Sequence, residues 1–208
     1  MTASHWLLCA GVCLSWLAGS GDGFTQPAAS GDTAPVRVEI SGAVGLFFPT
    51  ADSVGRVYDG TRVPWSVDGD VRIAGRLSAF AGFRSLSVEG RASGFEPSSG
   101  VSSDTRLTSR SLLLGVRAHH RWGRLGVFAG GGAAWTSFTE TWPGLDAEFS
   151  GGAWGPLVQG GVVYRAWRRI GIVGRVDWFQ AATGEGSLLD ASVDLGGLDV
   201  SGGVTIRF

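Results

Sequence analysis

The chain has no lysine; all seventeen of its basic residues are arginine. Cysteine is confined to Cys9 and Cys13, so removal of the first twenty residues leaves no thiol. A mature chain of that kind has no disulfide, no thiolate metal site and no cysteine nucleophile. Beyond the same point the histidines are His119 and His120. They are adjacent, so on a strand they point to opposite faces and cannot chelate one metal together. No later stretch approaches ~20 uninterrupted apolar residues, which excludes a membrane-crossing helix. Charged residues are 17% of the chain and the net charge is −1, so nothing draws it toward nucleic acid.

What the chain does have is glycine, 35 residues of it, and a strict alternation of apolar and polar positions. The N-terminus is different. Residues 6–18, WLLCAGVCLSWLA, are an apolar run of signal-peptide length followed by small residues. Residues 1–20 are therefore expected to be a cleaved signal peptide, with Ala18 and Ser20 at the key small positions and cleavage no later than about residue 30. Neither cysteine has the setting of a lipid anchor. Residues 21–35 are small, polar and proline-containing, as in a flexible leader.

From residue 36 to 208 the period is two. Eight strands are expected, over 36–48, 68–79, 86–95, 105–120, 125–139, 153–167, 170–180 and 191–208. In the last, Leu198, Val200, Val204, Ile206 and Phe208 alternate with Asp199, Ser201, Thr205 and Arg207. The connections alternate long and short. The short ones (80–84, 121–124, 168–169) all fall on the side where the last strand ends, and one of the long ones spans 140–152. An even number of strands with one plain and one elaborate rim predicts an all-β, eight-stranded antiparallel up-and-down barrel, closed so that no sheet edge is left unpaired. The run Gly130–Gly132 lies within a strand and opens no helix, so it is no phosphate cradle.

Alternation does not say which face points out. The apolar face places Phe80, Trp122, Trp167 and Phe208 at the plain rim and Phe48, Trp135, Trp154 and Trp178 toward the loop rim. Two aromatic girdles fit an apolar exterior in lipid, a transmembrane barrel. A soluble lipocalin-like carrier is the inside-out alternative. On the outward-apolar reading Leu86 and Val88 face out, Glu89 faces in, and the parity of 125–139 stays open.

The ending Ser201, Gly203, Ile206, Phe208 follows the polar-x-Gly-x-x-apolar-x-aromatic pattern. With it, LFFPT at 46–50, YDG at 58–60 and DLGGL at 194–198 resemble the small Gram-negative outer-membrane β-barrel domain family, the group that includes the membrane domain of outer membrane protein A and outer membrane protein W. The resemblance spans about residues 36–208. It implies residence in the outer membrane, termini in the periplasm, contact with lipid and lipopolysaccharide, and insertion by the barrel-assembly machinery, which would read Ser201, Gly203, Ile206 and Phe208. A monomer is expected. The peptidoglycan-binding domain that follows the barrel in outer membrane protein A has no counterpart here, so that role is not implied.

Function is less legible. The expected role is structural or surface-interactive, with no cofactor, no metal and no catalysis, and with an interior plugged by side chains. An ion cluster of Arg76, Glu89 and Arg117 is expected inside the barrel. A narrow porin-like channel is the alternative; inward arginines would then favour anions. Some barrels of this kind are lipid-modifying enzymes using histidine and serine, but no serine–carboxylate constellation is evident near His119 or His120.

Overall fold

The computed structural model describes residues 38–50, 62–91, 104–143, 146–183 and 193–208. The expected signal peptide and leader and the YDG at 58–60 lie outside these residues. The strands are β1 (Val38–Pro49), β2 (Trp65–Ala74), β3 (Leu77–Arg91), β4 (Asp104–Trp122) and β5 (Leu125–Trp142). They continue as β6 (Ala147–Arg165), β7 (Ile170–Phe179), β8 (Ala182–Thr183), β9 (Val193–Asp194) and β10 (Gly197–Arg207). Eight of them close into an antiparallel barrel in the order β1-β10-β7-β6-β5-β4-β3-β2, and β8 and β9 pair as a small ribbon between β7 and β10. The closing seam runs from Glu39↔Arg207 to Pro49↔Gly197.

The apolar face points outward. Ile40, Val44, Leu46 and Phe48 on β1, and Val200, Val204, Ile206 and Phe208 at the C-terminal end, are all more than 40% exposed. Their odd-numbered neighbours, including Phe47, Asp199, Ser201 and Thr205, are buried in the lumen. A lipocalin-like inside-out arrangement does not form. On β5, Phe128, Ala134, Thr136 and Phe138 face in, which fixes the parity that the sequence left open.

Three expectations require correction. The turn expected at 80–84 is at Gly75–Arg76, where Gly75 takes the left-handed conformation (φ 49°) that a two-residue hairpin favours. β3 therefore starts at Leu77, and Phe80 is buried in the lumen instead of standing at the rim. Leu86 and Val88 also face in, and Glu89 faces out. The segment 140–152, expected as a long loop, is mostly hairpin: β5 runs to Trp142 and β6 starts at Ala147, with Asp146 left-handed (φ 48°).

The second and third corrections have one cause. The outward residues of β4 change from Arg106, Thr108 and Arg110 to Leu112, Leu114 and Val116. The same change lies along a single row of cross-strand partners, Phe83↔Leu112, Leu112↔Trp135 and Trp135↔Trp154. Toward the plain rim from that row the exterior is apolar. On the loop side it is polar, and the apolar residues (Val88, Leu107, Phe138) are inside. β3 to β6 thus follow the lipid rule over one part and the aqueous rule over the other. On β4 the apolar part, Leu112–Trp122, is eleven residues long, within the roughly 9–11 a tilted strand needs to cross a bilayer.

Gly203 is fixed by the seam. A Cβ there would overlap the carbonyl oxygen of Gly42 and lie 2.6 Å from the Cα of Ala43, so any side chain forces β1 and β10 apart. Gly203→Ala is expected to impair spontaneous refolding of the urea-denatured barrel into detergent micelles, read as loss of the heat-shifted gel band. If Gly203 mattered only as an assembly signal, this machinery-free refolding would be unchanged.

Candidate functional site

The lumen is where the chemistry of this chain is concentrated. Inward parity brings Asp68 and Asp70 of β2, Arg84 of β3, Arg117 of β4, Arg175 and Asp177 of β7, and Asp199 of β10 into one space. Asp68 is the hub. Its Oδ1 lies 2.5 Å from Arg117 Nη2, and its Oδ2 accepts a hydrogen bond from Arg175 Nη1 at 3.0 Å. The side chains of all three are at most 6% exposed. Arg175 also donates to Ser66 Oγ (2.7 Å) and places its Nε 2.7 Å from Asp177 Oδ2. Arg117 donates from Nε and Nη2 to Gln159 Oε1, at 3.0 and 2.7 Å. Arg84 Nε stands 2.9 Å from Asp199 Oδ2. Because β2 and β7, or β3 and β10, are not neighbours in the barrel, these pairs run across the lumen and tie opposite walls together.

Burying these ions removes their hydration, and only close pairing and hydrogen bonding offset that loss. Aromatic faces supply a further term. The Arg84 guanidinium lies 4.5 Å from the Phe47 ring centre and 4.6 Å from that of Phe179. The Arg117 guanidinium lies 4.2 Å from Phe80 and 5.1 Å from Phe128. Both arrangements are cation–π contacts, strengthened where water is excluded.

Apolar side chains pack around these pairs and beyond them toward the loop rim. Phe47, Phe80, Leu86, Leu113, Ala134, Leu157 and Phe179 form one buried cluster, and Val88, Leu107, Phe138, Ala181 and Leu195 a second. A cavity beside Asp68, Arg117 and Arg175 measures about 20 Å³, and another beside Phe47, Arg84 and Leu86 about 10 Å³. Each has room for about one water molecule.

Of the expected ion cluster, only Arg117 is in place. Arg76 is exposed in the β2–β3 turn. Glu89 faces out on the loop side of β3 and pairs with Arg106 at 2.6 Å, both side chains largely exposed. The relocated turn and the reversed outer part of β3 account for both. In the central lumen three arginines (84, 117, 175) meet four aspartates (68, 70, 177, 199), and Arg72, Arg121, Arg165 and Arg207 follow at the plain-rim mouth. Arg175, Asp177 and Asp199 were already on the inward face of the sequence pattern. Asp68 begins the strand expected over 68–79 and Arg84 closes the turn expected at 80–84, so neither stands out as a lumen charge, and Gln159 gives no signal. In the assembly pattern, Ser201 is buried while Ile206 and Phe208 are exposed on the outer face.

The fold does assemble a serine–histidine–carboxylate group that spacing did not reveal. Ser78 Oγ lies 2.7 Å from His119 Nε2 and donates to Asp70 Oδ2 at 2.8 Å. Asp70 Oδ2 is 3.3 Å from that same Nε2. A catalytic relay needs serine and carboxylate on opposite ring nitrogens. Here both meet one nitrogen, and Ser78 is 1% exposed, so no substrate reaches its hydroxyl. The group is a structural hydrogen-bond cluster.

A closed eight-stranded barrel with an apolar belt outside, paired charges inside and one extended rim is the fold of the small outer-membrane barrels. Comparison with solved structures bears this out. Neisserial surface protein A matches with a TM-score of 0.56 at 12% identity, over 84% of this chain and 98% of that one. The attachment invasion locus protein Ail of Yersinia pestis, solved in complex with the heparin analogue sucrose octasulfate, matches with a TM-score of 0.52 at 12% identity, over 83% and 97%. A major outer membrane protein from Thermus thermophilus gives 0.51 at 12% identity, over 84% and 100%. At these identities the likeness is one of fold. The sequence matches no family model and no curated protein.

Removing Asp68 takes from two buried guanidinium groups the carboxylate they share, leaving Arg175 with Asp177 and Arg117 with Gln159. Asp68→Ala is expected to destabilise the folded barrel by about 3–5 kcal/mol, measured as a lowered urea midpoint in micelles. Adding Arg117→Met, Arg175→Met and Asp177→Asn to that variant is expected to recover much of the loss. A midpoint unchanged in the single variant would remove Asp68 from its place as hub.

Proposed function

We propose that this chain is an integral outer-membrane β-barrel, exported by a cleaved signal peptide, whose role is structural or surface-interactive and not conductive. The observation that supports this reading is how densely the described lumen is packed. Cross-barrel ion pairs fill its middle, and two apolar clusters pack around them and toward the loop rim. An ion crossing it would have to break buried pairs and then pass an apolar layer, at high cost in both.

Residence in a membrane is supported by the outward belt. Trp122, Trp167 and Phe208 stand exposed at the plain rim, and Phe48, Trp135 and Trp154 at the other border. The start of β1 and the end of β10 meet at the plain rim, where the Phe208 N–H donates to the Val38 carbonyl at 2.9 Å, and that rim would face the periplasm. The extended hairpins of β3–β4 and β5–β6 would then project outward with the surface loops. Ser201, Gly203, Ile206 and Phe208 would serve the barrel-assembly machinery during insertion, and lipid and lipopolysaccharide would cover the belt. We read the protein as a monomer without catalytic activity, in keeping with the geometry around Ser78.

Two measurements test this. Cell fractionation is expected to place the protein in the outer membrane, with a gel band that shifts on boiling. Planar bilayers containing the purified barrel are expected to show no discrete conductance steps. Reproducible steps would overturn the non-conductive reading in favour of a channel. A soluble periplasmic fraction would overturn residence in the membrane.

A further inference from the structure

Arginine is unevenly distributed over the barrel. The turns at the plain rim carry Arg76, Arg124, Arg168 and Arg169, all exposed. The strand ends around the mouth of the barrel carry Arg72, Arg121, Arg165 and Arg207. Eight of the seventeen arginines therefore stand at this one rim. Against them, among the described residues, are Glu39, Asp70 and the carboxyl end of Phe208. Asp70 is already held by Ser78 and His119, and Glu39 accepts from Thr205 Oγ1 at 2.9 Å, with Arg165 Nη2 3.9 Å away.

The collar is fixed by the backbone. The Arg76 carbonyl accepts from the His119 N–H (2.8 Å), that of Arg124 from the Arg165 N–H (2.9 Å), and that of Arg169 from the Arg207 N–H (2.8 Å). Each turn is thus held against a neighbouring strand, with an arginine at the point of attachment. Inside the ring, Arg72, Arg121, Arg165 and Arg207 line a cavity of about 60 Å³ together with His119, His120, Glu39 and Asp70. Outside it, Trp122, Trp167 and Phe208 are 57%, 70% and 67% exposed.

A rim with this many exposed guanidinium groups attracts anions. Arginine pairs with phosphate oxygens through paired N–H donors, and tryptophan settles at the headgroup level of a bilayer. We propose that the plain rim is a binding collar for the phosphate groups of anionic phospholipids in the leaflet that meets it. This rests on the reading of the chain as a membrane barrel. The collar would fix the barrel's depth from one side, while the aromatic row at the loop-side border fixes it from the other.

The test is lipid retention. The barrel is refolded in mixed micelles containing equal phosphatidylglycerol and phosphatidylcholine with the same acyl chains, and the lipids it keeps are counted by native mass spectrometry. The wild-type chain is expected to keep phosphatidylglycerol at least fivefold over phosphatidylcholine, since each arginine near an anionic surface contributes about fivefold in binding. The preference is expected to fall toward parity in the Arg76→Gln/Arg124→Gln/Arg169→Gln variant and at high salt. The Arg168→Gln/Arg169→Gln variant, confined to one turn, is expected to show a smaller loss and stands in if the triple variant does not fold. Equal retention of the two lipids by the wild-type chain, or a preference unchanged in the variants, would overturn the proposal. If excess inorganic phosphate strips the lipid from the folded barrel, the collar takes free phosphate and the headgroup assignment falls. The heat-shifted band separates the two levels of inference: a wild-type chain that never folds in lipid refutes the membrane reading itself.

Discussion

Everything in this structure depends on the seam between β1 and β10. Without it the sheet would have two edges, each a row of unpaired backbone groups, which an apolar surrounding cannot satisfy. With it the backbone is hydrogen-bonded within the barrel, and side chains are free to take opposite roles on the two faces. Glycine makes the seam possible at Gly203, where the opposite backbone occupies the space of a Cβ. Eight strands also leave a lumen so narrow that inward residues must reach one another. The cross-barrel pairs of Asp68, Arg84, Arg117, Arg175 and Asp199 are a consequence of closure as much as of their own attraction.

Those pairs stabilise the barrel in a conditional way. A buried ion pair gains little over a well-packed apolar pair, but losing one member is severe. Sharing Asp68 between two arginines makes the network hard to alter one residue at a time. It also specifies which walls face each other, since Arg175 on β7 reaches Asp68 only if β2 lies across the lumen in the correct register.

The barrel and its outward face were legible because the alternation on β1, β7 and β10 is nearly unbroken, and it places Ile40, Val176 and Val204 outside and Glu39, Arg175 and Asp199 inside. The sequence misled where the surroundings change along one strand. Leu86 and Val88 are apolar, so one rule applied throughout puts them in lipid; they lie beyond the row of Phe83 and Leu112, where the other rule holds. The turn at Gly75–Arg76 was hidden because Arg76 and Leu77 continue the alternation across it. Contacts across the lumen have no sequence signature at all: Asp68 and Arg175 are 107 residues apart, and only the closed circumference brings them together.

The row of partners from Phe83 to Trp154 also sets how this protein can change through descent. Beyond that row the β3–β4 and β5–β6 hairpins are water-facing ribbons built on a foundation already complete beneath them. Residues gained or lost in pairs there would lengthen or shorten a ribbon without turning any side chain over, whereas a single residue would reverse every inside and outside position between the tip and the next correction. The exposed end of the barrel is therefore a region where length can drift in steps of two while the belt below remains fixed.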